Sequence, residues 1–420
     1  MSKIGGKKRR YTGLLVFLIV VLVLCSVSII VLGILLYQKK VLADRGPSLP
    51  QIQSSVSTEE TTKEMSTEAV IDEMTSQTEE SVETASDTAS DTASDTAVQA
   101  LEKPENPDAI IDLSTTLYSY QKMENDLQLL AGYYPQYMTL DTAGVTADGR
   151  NLYVIYFGNQ NASRQIFICA ATHAREYMTA QLVMKQLEYY CAHYEDGSYN
   201  GTAYRDIFEN TCFVIVPMVN PDGVSISQFG EEGLNREDLR QNLRAIYESD
   251  KNGGYTDEAY DTYLTRWKAN GMGVDLNRNY SPGWESVTDR TAPSSGLYKG
   301  TQPGSEAESQ ALMNIVDGLS NPLLAISYHS YGSLVYWQYG QAEPLWSKNQ
   351  QLAAHVEALT TYYQAGYSNE AGFSNWCVNV KGIPSVTIET GLVPTPLPLD
   401  QFELLWSQNK EMWAMLGTTY

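Results

Sequence analysis

The sequence predicts an α/β protein with a mixed, mostly parallel sheet flanked by helices on both faces, preceded by a transmembrane helix and a disordered linker. Three observations predict this. Short β-branched or aromatic runs alternate with longer helical patterns over residues 106–420, the order expected of strand–crossover–strand units. An uncharged apolar run of 24 residues lies near the N-terminus. Between the two lies a stretch of Ser, Thr, Glu, Asp and Ala with almost no large apolar side chains.

The N-terminal part divides in three. Residues 1–12 carry Lys3, Lys7, Lys8, Arg9 and Arg10 and read as a cytoplasmic basic tail. Gly13 to Leu36 holds no charge, and as a helix it spans about 36 Å, more than the ~30 Å hydrocarbon core of a bilayer. Lys39, Lys40 and Arg45 follow, and the bias of basic residues favours an N-terminus inside the cell. The run is longer than the apolar core of a secretory signal, about 7–15 residues, so it is expected to remain a single-pass anchor in the cell membrane with the rest of the chain outside. Residues 37–105 form the linker. Within it, residues 46–105 hold 14 Asp and Glu against two Lys, and Ser86 to Ala97 is three copies of SDTA. Such a composition buries too little apolar area to offset its ordering entropy, so a disordered acidic stalk is expected.

Residues 106–420 are globular in composition and suit one large domain. Tyr118 to Tyr134 has helical spacing. Leu152–Phe157, Gln165–Ala171 and Cys212–Val219 read as strands, with a helix over Thr179–Tyr194 between the last two. Ser305-x-x-Glu308, after Pro303 and Gly304, reads as a capping box that opens a helix. Leu323–Tyr328 and Ser385–Thr390 are further strands, and Leu345–Ala365 a helix. Ligand sites in such sheets lie beyond the carboxyl ends of strands.

The formal net charge of −22 argues against a nucleic-acid partner, because phosphate binding needs clustered Lys and Arg. No CxxC pair occurs among the five cysteines, so no structural zinc knuckle is indicated. Cys191 and Cys212 either bridge the ends of one loop or stay as buried thiols.

The chain has four histidines. His173 follows the apolar run Ile166–Ala171, just past a strand end, and Glu176 stands three residues on. An imidazole and a carboxylate at that spacing can close on one ion in a tight loop or first helical turn, and zinc takes such ligands. His329 follows a second apolar strand, Leu324–Tyr328, and reaches the same sheet edge if the two strands are neighbours. A hydrogen-bonded core histidine is the commoner fate of one such residue; two in matching places point to a metal. His193, near a helix end, and His355, within a helix, read as structural. Glu389 lies near the end of the strand Ser385–Thr390, where a carboxylate is costly to bury unpaired and, beside a metal-bound water, can act as a base. In GVDLNRNY at 273–280, Arg278 offers a planar fork for a carboxylate and Asn277 an amide beside it, although alone the segment also reads as an Asn-rich turn.

Together these motifs resemble the zinc metallocarboxypeptidases of the carboxypeptidase A type, especially a bacterial branch, over about residues 115–410. The shared features are, in order, HxxE at His173 and Glu176, Asn220-Pro221-Asp222-Gly223, GVDLNRNY, His329-Ser330-Tyr331 and Glu389. Tyr118 to Tyr120 and Asp148-Gly149-Arg150 fit as well. Carboxypeptidase A is itself a known His₂Glu zinc enzyme. The resemblance implies one Zn2+ held by His173, Glu176 and His329, with Glu389 as general base and then acid. It implies that Asn277 and Arg278 grip the terminal carboxylate of a peptide substrate, that Arg175 also binds substrate, that Tyr367 closes over it, and that Ser374 sits at the base of the specificity pocket. Ser374 is not acidic, so that position does not support a preference for C-terminal Lys or Arg. The family places an arginine before the GVD segment to polarise the scissile carbonyl; here alignment on Trp267 offers Lys268, with Arg266 as the other candidate. A tethered extracellular enzyme of this kind meets cell-wall peptides, which makes peptidoglycan stem peptides a candidate substrate. The competing reading is a catalytically inactive, membrane-anchored surface binding module of the same fold. Retention of His173, Glu176, His329 and Glu389 argues for the enzyme.

Overall fold

The computed structural model describes residues 106–368 and 370–420. The basic tail, the apolar run and the acidic stalk read at 1–105 lie outside the described residues. Among the described residues no helix is long and apolar enough to cross a membrane.

Helix α1 (Tyr120–Tyr133) starts where the Ser119 hydroxyl accepts a hydrogen bond from the Lys122 amide. It leads into an antiparallel hairpin of β1 (Met138–Val145) and β2 (Asn151–Gly158). Strand β3 (Gln165–Cys169) and helix α2 (Met178–Ala192) follow, then a small ribbon of β4 (Ser198–Tyr199) and β5 (Thr202–Ala203). Next come α3 (Tyr204–Glu209), β6 (Cys212–Val216), α4 (Pro221–Phe229), α5 (Glu237–Asn252) and α6 (Tyr260–Thr265). After the GVDLNRNY segment the chain continues through α7 (Ala307–Gly318), β7 (Pro322–Ser330), β8 (Leu334–Tyr336), α8 (Leu345–Thr360) and β9 (Tyr363–Gln364). It ends with α9 (Phe373–Asn379), β10 (Ser385–Thr390), α10 (Phe402–Asn409) and α11 (Met412–Thr419).

The main sheet has the order β1-β2-β6-β3-β7-β10-β8-β9. Its centre, β6-β3-β7-β10, is parallel, and antiparallel pairs flank it. The central strands are near-continuous apolar runs because both of their faces are covered. Alternate residues of β3 show this. Ile166 and Ile168 join one core with Leu182 of α2 and Trp413 of α11. Phe167 and Cys169 join the other with Leu312 of α7 and Phe373 and Trp376 of α9. The mixed, mostly parallel sheet with helices on both faces is therefore the observed architecture.

Two local expectations differ from the structure, and a third choice, left open by the sequence, is decided by it. The capping box does not form: Glu306 is the N-cap of α7, without a side-chain cap. The Ser305 hydroxyl instead accepts from Asn279 Nδ2 at 2.9 Å and donates to Glu306, while Glu308 turns inward to Asn270. Helix α8 stops at Thr360, because Thr361 takes φ 63° and the apolar pattern beyond it belongs to edge strand β9. Cys191 and Cys212 are buried thiols with no disulfide between them.

Parallel pairing places the carboxyl ends of β3, β7 and β10 along one edge of the sheet. The ladder sets Cys169 against Ser327 and Glu389 against His329. Strand β7 runs to Ser330, so His329 is inside the strand rather than after it.

Candidate metal centre

His173 reaches the sheet edge through a constrained turn. Ala171 adopts φ 50°, a left-handed conformation that costs a non-glycine residue about 1–2 kcal/mol. Hydrogen bonds on both sides hold it: its amide donates to Thr179 Oγ1 at 2.9 Å, and its carbonyl accepts from the Asn220 amide at 3.2 Å. The Asn220 side chain donates to the Thr172 carbonyl at 3.1 Å and to the Ala269 carbonyl at 3.0 Å. The Ala174 amide then bonds the Lys268 carbonyl at 3.1 Å. The NPDG motif thus stitches the turn before His173 to the segment that carries Lys268. A single 3-10 turn, Ala174–Glu176, brings Glu176 back over His173.

Three donors converge. His173 Nδ1 lies 2.9 Å from Glu176 Oε1, and His329 Nδ1 lies 3.0 Å from Glu176 Oε2 and 3.1 Å from His173 Nδ1. All three side chains are buried, and one ligand atom from each falls within 4.8 Å of the others. Zinc bonds of about 2.0–2.2 Å at tetrahedral angles separate ligand atoms by roughly 3.3–3.6 Å, a few tenths of an ångström more than the spacings seen here. Two imidazole nitrogens that face one another across a carboxylate form a donor set for a cation, and the Ser330 amide fixes that carboxylate by donating to Glu176 Oε2 at 3.1 Å. The residues present fit one zinc ion.

Behind His173 stands Asp275, fully buried, with Oδ1 3.4 Å from Nε2. Its other oxygen accepts from Lys268 Nζ at 2.7 Å and from the Leu297 amide at 3.0 Å. Burial alone would raise the Asp275 pKa, but the Lys268 charge and His173 outweigh it and hold the carboxyl well below the usual range. Glu176 follows the same pattern: burial opposes ionisation, and the two histidines overcome it. Burial disfavours the charged form of His329, yet its bond to Glu176 raises its pKa. Glu389, partly exposed on β10, is pushed up to about 8 by burial and by the Glu176 charge. A divalent cation among the ligands works against that rise.

Beyond the ligands, the structure separates the remaining candidates. Lys268 faces the centre through Asp275, whereas the Arg266 guanidinium is exposed and pairs with Glu258 at 2.6 Å. Arg175 Nη1 donates to the Arg266 carbonyl at 3.2 Å. Asn277 and Arg278 follow directly after Asp275. The Asn277 side chain accepts from the Phe373 amide at 3.2 Å, and it packs close to Gly372, where a Cβ would lie 2.4 Å from Asn277 Oδ1 and force that side chain to shift. Ser374 is buried on α9, and its hydroxyl accepts from Thr387 Oγ1 at 2.9 Å. Tyr367 is 61% exposed and bridges to Gln338 beside β8. His193 pairs with Asp108 at 3.2 Å and His355 Nδ1 bonds the Tyr420 hydroxyl at 2.9 Å, so neither belongs to the ligand group.

Two features of the centre were not anticipated. Asp275 was visible within GVDLNRNY, but its position behind His173 depends on a contact across 102 residues of chain. Glu370, four residues before Ser374, holds Arg278 by both carboxylate oxygens, at 2.6 and 2.7 Å. Nothing in its local sequence marks it.

The zinc carboxypeptidase family model matches residues 123–412. The chain is similar to gamma-D-glutamyl-L-diamino acid endopeptidase 1 of Lysinibacillus sphaericus, 27% identical over 69% of this chain and 70% of that protein. It is similar to carboxypeptidase B of Astacus astacus, 26% identical over 66% of this chain and 86% of that protein. Its fold matches the crystal structure of carboxypeptidase A from Helicoverpa armigera with a TM-score of 0.51, at 18% identity, over 72% of this chain and 73% of that one.

Proposed function

Because this chain belongs to the zinc carboxypeptidase family, we propose that it is a membrane-tethered enzyme that removes C-terminal residues from peptides, with peptidoglycan stem peptides as its substrate class. The observation that carries the reading is the convergence of His173, Glu176 and His329 with Glu389 paired opposite His329. The Lysinibacillus relative is named a gamma-D-glutamyl-L-diamino acid endopeptidase, which supports the stem-peptide substrate class, while the removal of C-terminal residues rests on Asn277 and Arg278. The apolar run at 13–36, with basic residues before it, supports a single-pass anchor with the catalytic domain outside the cell.

Zinc bound by the three ligands supplies Lewis-acid activation of water and of the peptide carbonyl. Glu389 takes the proton from the attacking water and returns it to the departing amine. Lys268 contributes positive charge near the developing oxyanion. Arg278 holds the substrate's terminal carboxylate through two parallel hydrogen bonds, with Asn277 beside it. Tyr367, exposed to solvent, closes over the bound peptide in this reading.

Purified chain is expected to carry one zinc per molecule and to release C-terminal residues from stem peptides. Stoichiometric zinc with no release from stem peptides or ordinary L-peptides would sink the peptidase reading. Cleavage of ordinary L-peptides alone would sink the stem-peptide one.

A further inference from the structure

The Arg278 fork is already filled by the chain itself. Nη1 and Nη2 of Arg278 meet Oε2 and Oε1 of Glu370 at 2.6 and 2.7 Å, the parallel two-bond geometry by which arginine also holds a terminal carboxylate. We propose that Glu370 is an internal occupant of the carboxylate site, which the substrate's own carboxylate must displace before it can bind productively. This rests on the assignment of Arg278 to the substrate carboxylate.

Three observations make Glu370 an exchangeable occupant rather than a fixed support. The Arg278 side chain is 10% exposed while that of Glu370 is 46% exposed, so the anchor is buried and the occupant opens to solvent. The Glu370 backbone is tied down separately, its carbonyl accepting from Asn375 Nδ2 at 2.8 Å, so the side chain can leave without unfolding the segment. The segment also lies against Asn277 through Gly372, which keeps the released carboxylate near the site. Water can therefore take up the Glu370 carboxylate as it leaves, while the buried Arg278 is left unpaired only until the incoming carboxylate replaces it. Two carboxylates cannot both take the Nη1–Nη2 edge of one guanidinium, and binding at that edge is therefore an exchange. Apparent affinity falls by the fraction of time the fork is open: a fork open about one tenth of the time weakens binding about tenfold.

The test measures binding of N-acetyl-L-phenylalanine to the zinc-free full chain by calorimetry, with N-acetyl-L-phenylalaninamide as the control lacking a carboxylate. Glu370→Gln removes the competing charge. Glu370→Asp keeps the charge but shortens the reach by one methylene. Exchange predicts that both variants bind the acid several-fold to about tenfold more tightly than wild type, with no gain for the amide. Unchanged or weaker binding in both variants would overturn the proposal. Tightening in Glu370→Gln alone would also overturn it, because that is the signature of a general loss of negative charge. Arg278→Ala separates the two levels of the argument. If it leaves binding of the acid intact, the carboxylate assignment itself fails and the exchange falls with it. If it abolishes binding while neither Glu370 variant tightens it, only the exchange fails.

Discussion

Asp275 stands directly behind His173, its Oδ1 3.4 Å from Nε2, while Lys268 secures its other oxygen. A carboxylate in that position orients the imidazole and makes the facing nitrogen a better donor to a metal. Asp275→Asn is expected to weaken zinc binding by roughly 10–100-fold, measured by competition with a chromogenic chelator. An unchanged zinc affinity would show that the contact has no bearing on the metal.

Glu389 is not among the converging donors, so its removal should spare the metal. Glu389→Gln is expected to lower kcat by at least about 100-fold with one zinc per chain retained. Turnover near the wild-type rate would remove it from the role of base.

Glu308 offers a test of buried charge away from the centre. Burial, with Asp222 and Glu306 nearby, pushes its carboxyl up to about 8. An unfolded glutamate titrates near ~4.3, so between that pH and about 8 the folded chain keeps a proton that the unfolded chain has lost. The proton balance makes stability fall as pH rises through this window, and the penalty is absent below it. Glu308→Gln has no such proton to lose. It is expected to match wild type near pH 4 and to exceed it by on the order of 3 kcal/mol near pH 8 in urea unfolding. An equal difference at both pH values would refute this account.

Trp413 fills the core beneath α11, with ring centroids 5.4 Å from Tyr190, 5.8 Å from Phe213 and 5.9 Å from Phe157. Trp413→Ala is expected to cost about 3–5 kcal/mol of unfolding free energy. A loss below about 1 kcal/mol would mean that α11 contributes little to the core.

The central strands were legible because burial on both faces leaves an uninterrupted apolar run, as in Ile166–Cys169 and Cys212–Val216. Strand β1 was not read: its sequence, MTLDTAGV, is half exposed at the sheet edge and carries no such run. The metal ligands were legible because His329 lies at the carboxyl end of one readable strand, and His173, with Glu176 three residues on, follows another. Glu370 was not, because its partner Arg278 is 92 residues away and a long-range ion pair leaves no local pattern. The choice between Lys268 and Arg266 is likewise a matter of which way each side chain points. One turn of chain sends Arg266 to Glu258 at the surface and Lys268 to Asp275 in the interior.

The parallel ladder between β7 and β10 pairs Ala325–Ser330 with Ser385–Thr390 residue for residue. It sets the distance from Glu389 to His329 by backbone alone. The intervening chain, 331–384, carries Tyr367, Glu370 and Ser374, and its strand β8 flanks β10 on the other side, with Leu334 opposite Glu389. Glu389 is thus gripped by a neighbour on each side, so its register with His329 is set twice over, and a change of length confined to the chain between β8 and β10 leaves both ladders in place.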